Sequence, residues 1–136
     1  MGYRNIKFYP DATSSSRNQN NDIPVFRYAD IILMKAEAIQ RGGTPTLGHS
    51  ALSLVNMLRA VRTTSASLSG VTLDDIYAER CREFAWEGWH RNDVIRFGKY
   101  EAGWGFKTNN EEYRRIFPIP TSALTLNPVL TQNPGY

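Results

Sequence analysis

Residues 79–98 read ERCREFAWEGWHRNDVIRFG and hold four arginines, four acidic residues and two tryptophans. Charges at this density are costly to bury unless they pair with one another. The same stretch contains Phe84, Val94 and Phe97, which are side chains that proteins normally bury. We therefore expect a segment whose charges form ion pairs while its aromatic rings are buried.

The composition of the whole chain fits one soluble domain. The chain has 136 residues, of which 41% are hydrophobic, and a net charge of +3. A chain of this length buries one core of modest size. Six acids and five bases lie between residues 72 and 99, so the most charged stretch is nearly neutral. Because nucleic-acid-binding proteins normally carry a patch of one sign, we expect no nucleic-acid partner.

The cysteine and apolar content exclude further classes of protein. The single cysteine, Cys81, has no partner for an internal disulfide, and no Cys/His cluster has the spacing of a zinc site. We expect no metal and no cofactor. No apolar run approaches the roughly 20 residues of a transmembrane helix.

Hydrophobic spacing predicts a helical hairpin in the first half of the chain. The first helix starts near Val25 and stops at the two glycines at positions 42–43. The second helix has Thr44 or Thr46 as its N-cap. Since the connection is short, the two helices should be antiparallel. The apolar stripe of the second helix consists of Ala51, Leu52, Val55, Leu58 and Val61.

A third helix follows a loop rich in serine and threonine. Thr72 and Asp75 form a capping-box pattern at its start, and the helix runs to about Gly88. A shorter helix is predicted at residues 91–97.

The two ends of the chain are less regular. The start is polar, with a strand-like patch at residues 6–9, and the last twenty residues contain four prolines and one short predicted helix at 122–126. We therefore divide the chain into a polar lead-in, residues 1–22, and a helical domain, residues 23–136.

Glu79, Glu83 and Glu87 are four residues apart, so on a helix they share one face. Two carboxylates that flank a bond would indicate a glycosidase, but neighbours on one helix face point the same way and cannot bracket a sugar ring. Like charges repel at this spacing, so we expect arginines to neutralise the row, and we expect no catalytic residue. The expected cations are Arg59, Arg62, Arg80 and Arg82, and further pairs between helices are expected from Arg27, Asp30 and Glu37.

Three tryptophans are candidates for sugar contact, because a flat ring complements the apolar side of a pyranose. We expect Trp86 to be structural, since it lies two residues after Phe84 in a dense helical segment. Trp104 lies in the loop EAGWGF (101–106) and is the better-exposed candidate for ligand binding, with Trp89 as a second candidate.

Five motifs follow one another along the chain. They are RYADIILMKAEA (27–38), NMLRAVR (56–62), ERCREFAWEGWHRNDVIRFGK (79–99), FPIP (117–120) and LTQNPGY (130–136). In their order, their spacing and the terminal tyrosine, the chain resembles the C-terminal part of the SusD/RagB family of outer-membrane nutrient-binding lipoproteins. The resemblance covers about residues 5–136.

The resemblance implies an all-α protein of tetratricopeptide-like helical hairpins with an irregular, proline-rich C-terminal segment. It implies a lipid-anchored protein on the surface of a Gram-negative outer membrane. Its partner would be a SusC-type TonB-dependent transporter, with which it takes up oligosaccharides or, in some relatives, peptides, without catalysis. The motif residues at positions that look architectural in the family are Arg27, Asp30, Glu37, Arg59, Arg62, Glu79, Arg80, Glu83, Glu87, Arg91 and Asp93.

These patterns lead to two hypotheses. The first is a non-enzymatic glycan-binding component of a SusC/SusD-type uptake system, in which this chain supplies helical scaffold and a transporter-docking surface. The alternative is a generic tetratricopeptide-like scaffold that binds protein or peptide without sugar contact. Family members are several times longer and begin with a lipoprotein signal that ends in an acylated cysteine. Because this chain opens with Met1 and Gly2 and has no such cysteine, we expect a fragment that reaches the membrane only through an anchor it lacks.

Overall fold

A computed structural model describes residues 6–14 and 19–136 of the chain. Within these residues it contains helices and irregular segments but no strand. The α-helices are α1 (Tyr28–Gln40), α2 (Ala51–Arg62), α3 (Leu73–Glu83), α4 (His90–Arg96) and α5 (Thr121–Leu126), with a 3-10 helix at Glu112–Arg115. The expected fold class, all-α with helical hairpins and an irregular C-terminal segment, is confirmed.

The strand-like patch predicted at residues 6–9 is wrong. These residues are irregular, and Ile6 and Tyr9 are 68% and 71% exposed, because no neighbouring strand is present among the described residues to pair with them. Residues 1–5 and 15–18 of the predicted lead-in lie outside the described residues. The division of the chain at residue 22 stays a prediction.

Helices α1 and α2 form the predicted antiparallel hairpin. Tyr28 and Ile32, near the start of α1, line one groove together with Met57 and Val61, near the end of α2. Helix α3 packs mainly against α1, and residues of all three helices contribute to the apolar core. The fully buried core side chains include Leu33, Ala36, Val55 and Ile76.

Helix α2 starts later than the sequence indicates. Its N-cap is Ser50, whose Oγ accepts from the Ser53 backbone N at 3.0 Å while Ser53 Oγ accepts from the Ser50 backbone N at 2.8 Å. The predicted caps Thr44 and Thr46 instead belong to the connecting turn, in which the Thr46 carbonyl accepts from Lys35. The predicted cap of α3 is confirmed, since Thr72 and Asp75 form a capping box.

Two predicted helix ends differ in their outcome. Helix α1 ends at Gln40 beside the predicted glycine pair, where the backbone N of Gly43 donates to the Ala38 carbonyl at 2.8 Å. Helix α3 ends at Glu83 instead of near Gly88, because residues 84–88 form a turn that brings α4 back against α3.

The end of α3 corrects the expectation for Trp86. The backbone of Trp86 has a φ of 67°, in the left-handed region that a regular helix does not contain. The residue is 77% exposed, so it is neither helical nor a buried structural tryptophan.

The C-terminal segment is held by side chains that bind its own backbone. Gln132 exchanges two hydrogen bonds with the backbone of Ile119, at 2.8 and 2.9 Å. Tyr136 OH donates to the Ile116 carbonyl at 2.7 Å, and its ring packs on Tyr113. The FPIP and LTQNPGY motifs are therefore two sides of one small unit.

Candidate functional site

The centre of the helical core is a charged side chain, Arg80 of α3, which has no exposure to solvent. Its Nη1 donates to Asp30 Oδ1 of α1 at 2.7 Å, and its Nε donates to Asp93 Oδ1 of α4 at 2.9 Å. Each aspartate is about 1% exposed. One guanidinium therefore joins three helices, and its partners are two aspartates instead of the row of glutamates that Arg80 was expected to neutralise.

These ion pairs continue to the surface through three more residues. Asp93 Oδ1 also accepts from Arg96 Nη2 at 2.8 Å, and the same nitrogen lies 3.0 Å from Glu37 Oε2. Glu37 in turn accepts from Arg41 Nε at 2.9 Å. We call the connected set the Arg80 cluster; its members are Asp30, Glu37, Arg41, Arg80, Asp93 and Arg96.

The Arg80 cluster carries an electrostatic cost. Burial raises the pKa of Asp93, and the neighbouring Arg80 and Arg96 offset that rise only in part. Two buried atoms, Asp30 Oδ2 and Arg80 Nη2, have no hydrogen-bond partner among the described residues. The Arg80 guanidinium also lies 4.8 Å from the centroid of the Phe84 ring, a favourable cation–π distance. Burying these charges costs solvation free energy. Removing one partner is strongly destabilising, because it leaves the other charge buried and unpaired.

A second set of ion pairs links α2, α3 and the residues before α1. Glu83 accepts from Arg27 Nη1 at 2.7 Å and from Arg62 Nε at 3.1 Å. Glu79 accepts from Arg59 Nη1 at 3.0 Å. We call this set the cleft cluster; its members are Lys7, Arg27, Arg59, Arg62, Glu79, Arg82, Glu83 and Glu87.

Glu87 lies in the turn after α3 and anchors two cations. Arg27 binds it through Nε and Nη2, each at 2.9 Å from a carboxylate oxygen, and Lys7 pairs with the same carboxylate. Burial alone would raise the pKa of Glu87, but the hydrogen bonds from Arg27 and Lys7 hold it below its ordinary value.

The cleft cluster borders an open cleft of about 580 Å³, whose lining also includes Thr63 and Ser65. Each of the three glutamates is bound by at least one cation. A general acid would instead need a carboxyl group kept protonated near neutral pH. The arrangement is that of a scaffold in which charges fix the packing of helices.

The comparisons with known proteins agree with this architecture. The family model described as the SusD family matches residues 1–115, which is more than half of the chain. The chain belongs to the SusD family. It is 32% identical to the starch-binding protein SusD of Bacteroides thetaiotaomicron, over 98% of this chain and 25% of that protein. Two SusD-like proteins of Formosa agariphila are 33% and 32% identical to this chain. The matches cover 96% and 93% of this chain and 28% and 27% of those proteins.

This SusD-family chain therefore spans about a quarter of the length of the curated relatives it matches. The motif residues that the resemblance marked as architectural all lie in the Arg80 cluster or the cleft cluster, with the exception of Arg91.

Arg91 binds the C-terminal segment of the SusD-family chain. Its Nη2 donates to the Arg114 carbonyl at 2.7 Å, and its guanidinium lies 4.3 Å from the centroid of the Phe117 ring. Arg91 thus joins α4 to the backbone of the 3-10 helix and to the first ring of the FPIP motif.

Sequence reasoning missed three cations of the two clusters. Arg96 and Arg41 each bind an acid three or four residues away, a spacing that could have identified them. Lys7 and Glu87 are separated by 80 positions, and no local pattern indicates that pair.

The two tryptophans predicted to bind ligand lie in different surroundings. Trp89 is half-buried against Phe26, with ring centroids 5.4 Å apart. Trp104 is 49% exposed and meets His90 edge-on at 5.3 Å. Their role in ligand binding stays a prediction.

Two further features bear on the class of site. In the part of the chain that the structure describes, no helix is long and apolar enough to cross a membrane. Within the same residues, 6–14 and 19–136, no group of three or more His, Cys, Asp or Glu side chains is placed to hold a metal ion.

Proposed function

We propose that this chain is part of a non-enzymatic, glycan-binding protein of the bacterial cell surface that works with a SusC-type TonB-dependent transporter. In this proposal the chain supplies helical scaffold and a docking surface for the transporter. A lipid anchor outside this chain would hold the protein on the outer membrane.

The observation that carries the proposal is that the charged side chains of the two clusters are paired with one another. Arg80 and the carboxylates of Glu79, Glu83 and Glu87 are all engaged in ion pairs that join helices or the segments next to them. Together with membership of the SusD family and similarity to a starch-binding protein, this supports binding without catalysis.

We assign the docking surface to the groove between α1 and α2. Tyr28 and Val61 line it and are 75% and 72% exposed, and Met57 between them is 44% exposed. Large apolar side chains that share an exposed groove are typical of protein interaction surfaces. Arg27 and Arg62 border the groove and give it a polar rim.

The test of the docking surface is capture of the cognate transporter by the protein in its full encoded length. Val61→Asp should weaken capture at least tenfold, because it places a charge in the groove. Val129→Asp is the matched control, since Val129 is 87% exposed and does not line the groove. Equal capture by both variants would contradict the assignment of this groove.

The test of ligand class is calorimetry with oligosaccharides and, separately, with peptides. We expect saccharide binding and no turnover of the bound saccharide. Binding of peptides with no response to any saccharide would favour the generic scaffold instead. Trp104→Ala measures the contribution of the tryptophan predicted to contact the sugar.

A further inference from the structure

The turn after α3 presents an aromatic ring in an unusual backbone conformation. Trp86 has a φ of 67°, whereas the turn already contains Gly88, the residue type that adopts such angles without cost. A bulky side chain in this region is strained, and strain of this kind clusters at functional sites. The residue is 77% exposed, so burial does not compensate for the strain.

Trp86 forms a cleft with residues that precede α1. The cleft has a volume of about 420 Å³. Its apolar lining comes from Trp86, Phe8, Pro10 and Ile23, and its polar lining comes from Gln19, Asn21 and Asp22. We call it the Trp86 cleft.

An ion pair of the cleft cluster connects the two segments that line the Trp86 cleft. Lys7, the residue before Phe8, pairs with Glu87, the residue after Trp86. Lys7 also donates to the backbone carbonyl of Glu83 and, at 3.4 Å, to that of Ala85. One lysine therefore ties the residue before Phe8 to the turn that carries Trp86, and Phe8 and Trp86 both line the cleft.

Side-chain hydrogen bonds also shape the polar side. The Asn21 amide donates to the Tyr9 carbonyl, and Asn20 Nδ2 donates to Asp11 Oδ2 at 2.7 Å. These bonds fold residues 19–23 against residues 8–11. The Asp22 carboxylate is exposed and forms no hydrogen bond or ion pair with the described part of the chain.

An exposed indole beside amide and carboxylate groups fits a saccharide. The C–H groups on one side of a pyranose stack on an aromatic ring, and its hydroxyl groups donate to and accept from amides and carboxylates. A cleft with apolar walls and a few convergent polar groups is the usual form of a small-ligand site.

We propose that the Trp86 cleft binds one sugar unit of the glycan, with Trp86 as the stacking platform and Asn21 and Asp22 as hydrogen-bonding groups. This inference rests on the proposed function, because it assigns a site for the glycan. It also explains the exposed ring and the strained backbone, which the ion-pair scaffold does not need.

The test is isothermal titration calorimetry on the protein in its full encoded length. The probes are maltoheptaose and, as further arms, oligosaccharides of β-1,4-glucan, β-1,3-glucan and xylan. Trp86→Gly removes the ring and suits the observed φ, so the melting temperature should not fall while the affinity for the bound probe falls at least tenfold. Trp86→Phe should retain part of the affinity. Phe106→Ala is the matched control, because Phe106 is fully exposed and lies outside the cleft.

A second variant covers the case in which Trp86→Gly fails to fold. Asp22→Asn leaves the ring and the turn intact and should weaken binding severalfold. Unchanged affinity in Trp86→Gly, with wild-type binding intact, would overturn the Trp86 cleft and leave the proposed glycan-binding function standing. Failure of the wild-type protein to bind any of the probes would contradict both.

Discussion

The Arg80 cluster and the cleft cluster are built from the same residue types in overlapping stretches of sequence, yet only the first is centred on a fully buried cation. Arg80 is fully buried, whereas the Arg62 and Lys7 side chains of the cleft cluster are 50% and 32% exposed. Exposed cations lose little solvation when they pair, and a buried one loses nearly all of it. The charge pattern alone therefore does not reveal which ion pairs hold the fold.

The carboxylates of the two clusters show this difference directly. Burial raises the pKa of Asp93 in spite of two neighbouring arginines. The pKa of Glu87 is lowered, because hydrogen bonds from Arg27 and Lys7 exceed the effect of burial. Ionisation is therefore disfavoured at Asp93 and favoured at Glu87.

The largest expected effect comes from breaking the Arg80 cluster. Arg80→Met leaves Asp30 and Asp93 buried without their shared partner, and it should lower the free energy of unfolding by about 3–5 kcal/mol. Arg62→Met, the matched change in the cleft cluster, should cost only about 0–1 kcal/mol. Urea denaturation at pH 7 measures both. Similar losses in the two variants would contradict the comparison.

Double-mutant cycles sharpen the same difference. We expect a coupling of about 2–3 kcal/mol between Arg80→Ala and Asp30→Ala, and below about 1 kcal/mol between Arg62→Ala and Glu83→Ala. Additive losses in the first pair would show that Arg80 and Asp30 act independently. The sequence predicts a lower melting temperature for Arg80→Ala and for Glu83→Ala, and we expect the loss for Arg80→Ala to be the larger.

The contributions of Glu87 and Asp93 to the pH dependence of stability should have opposite signs. The lowered pKa of Glu87 means that its stabilising contribution is present above its ordinary pKa of 4.5 and is lost as the pH falls through its folded value. Glu87→Gln should therefore reduce the loss of stability between about pH 5 and pH 3. Thermal unfolding over this range gives the slopes.

Asp93 provides the contrast in the same experiment. Its raised pKa means that the folded protein takes up a proton more readily than the unfolded chain, so acid relieves a penalty that is present at neutral pH. Asp93→Asn should accordingly make the acid loss steeper. Equal slopes for the two variants would contradict the opposite pKa shifts.

The smallest expected effect concerns the turn that joins the clusters. Trp86→Gly removes the strain of a left-handed backbone, which stabilises the folded protein, and adds conformational freedom to the unfolded chain, which destabilises it. We expect the first effect to be the larger, with a net gain in stability of up to about 1 kcal/mol. The melting temperature measures it, with Phe106→Ala as the reference for loss of an exposed ring. A clear loss of stability would indicate that the Trp86 ring supports the fold.

Local signals in the sequence predicted much of the fold. The capping box at Thr72, the glycines after α1 and the antiparallel hairpin all depend on neighbouring residues. The end of α3 could not be predicted in this way, because its buried face includes Glu79, Arg80 and Glu83 and hydrophobic spacing does not mark such a face.

The candidate sites were harder to predict than the helices. The sequence indicated that the glutamates of residues 79–98 pair with arginines, but not that Arg80 pairs with Asp30, 50 positions away. The exposure of Trp86 depends on a turn that Lys7 stabilises from a distant part of the chain. Both features follow from tertiary packing and have no local signature.

The sequence separation between Arg80 and Asp30 has a kinetic consequence. Their ion pair spans 50 residues and cannot form until α1 and α3 have docked. Interactions that form after the transition state change the rate of unfolding more than the rate of folding. Loss of Arg80 should therefore shorten the lifetime of the native state while folding remains nearly as fast, which stopped-flow refolding and unfolding rates would reveal. In this view the buried ion pairs form after the transition state for folding, and they set the unfolding rate and so the lifetime of the native state.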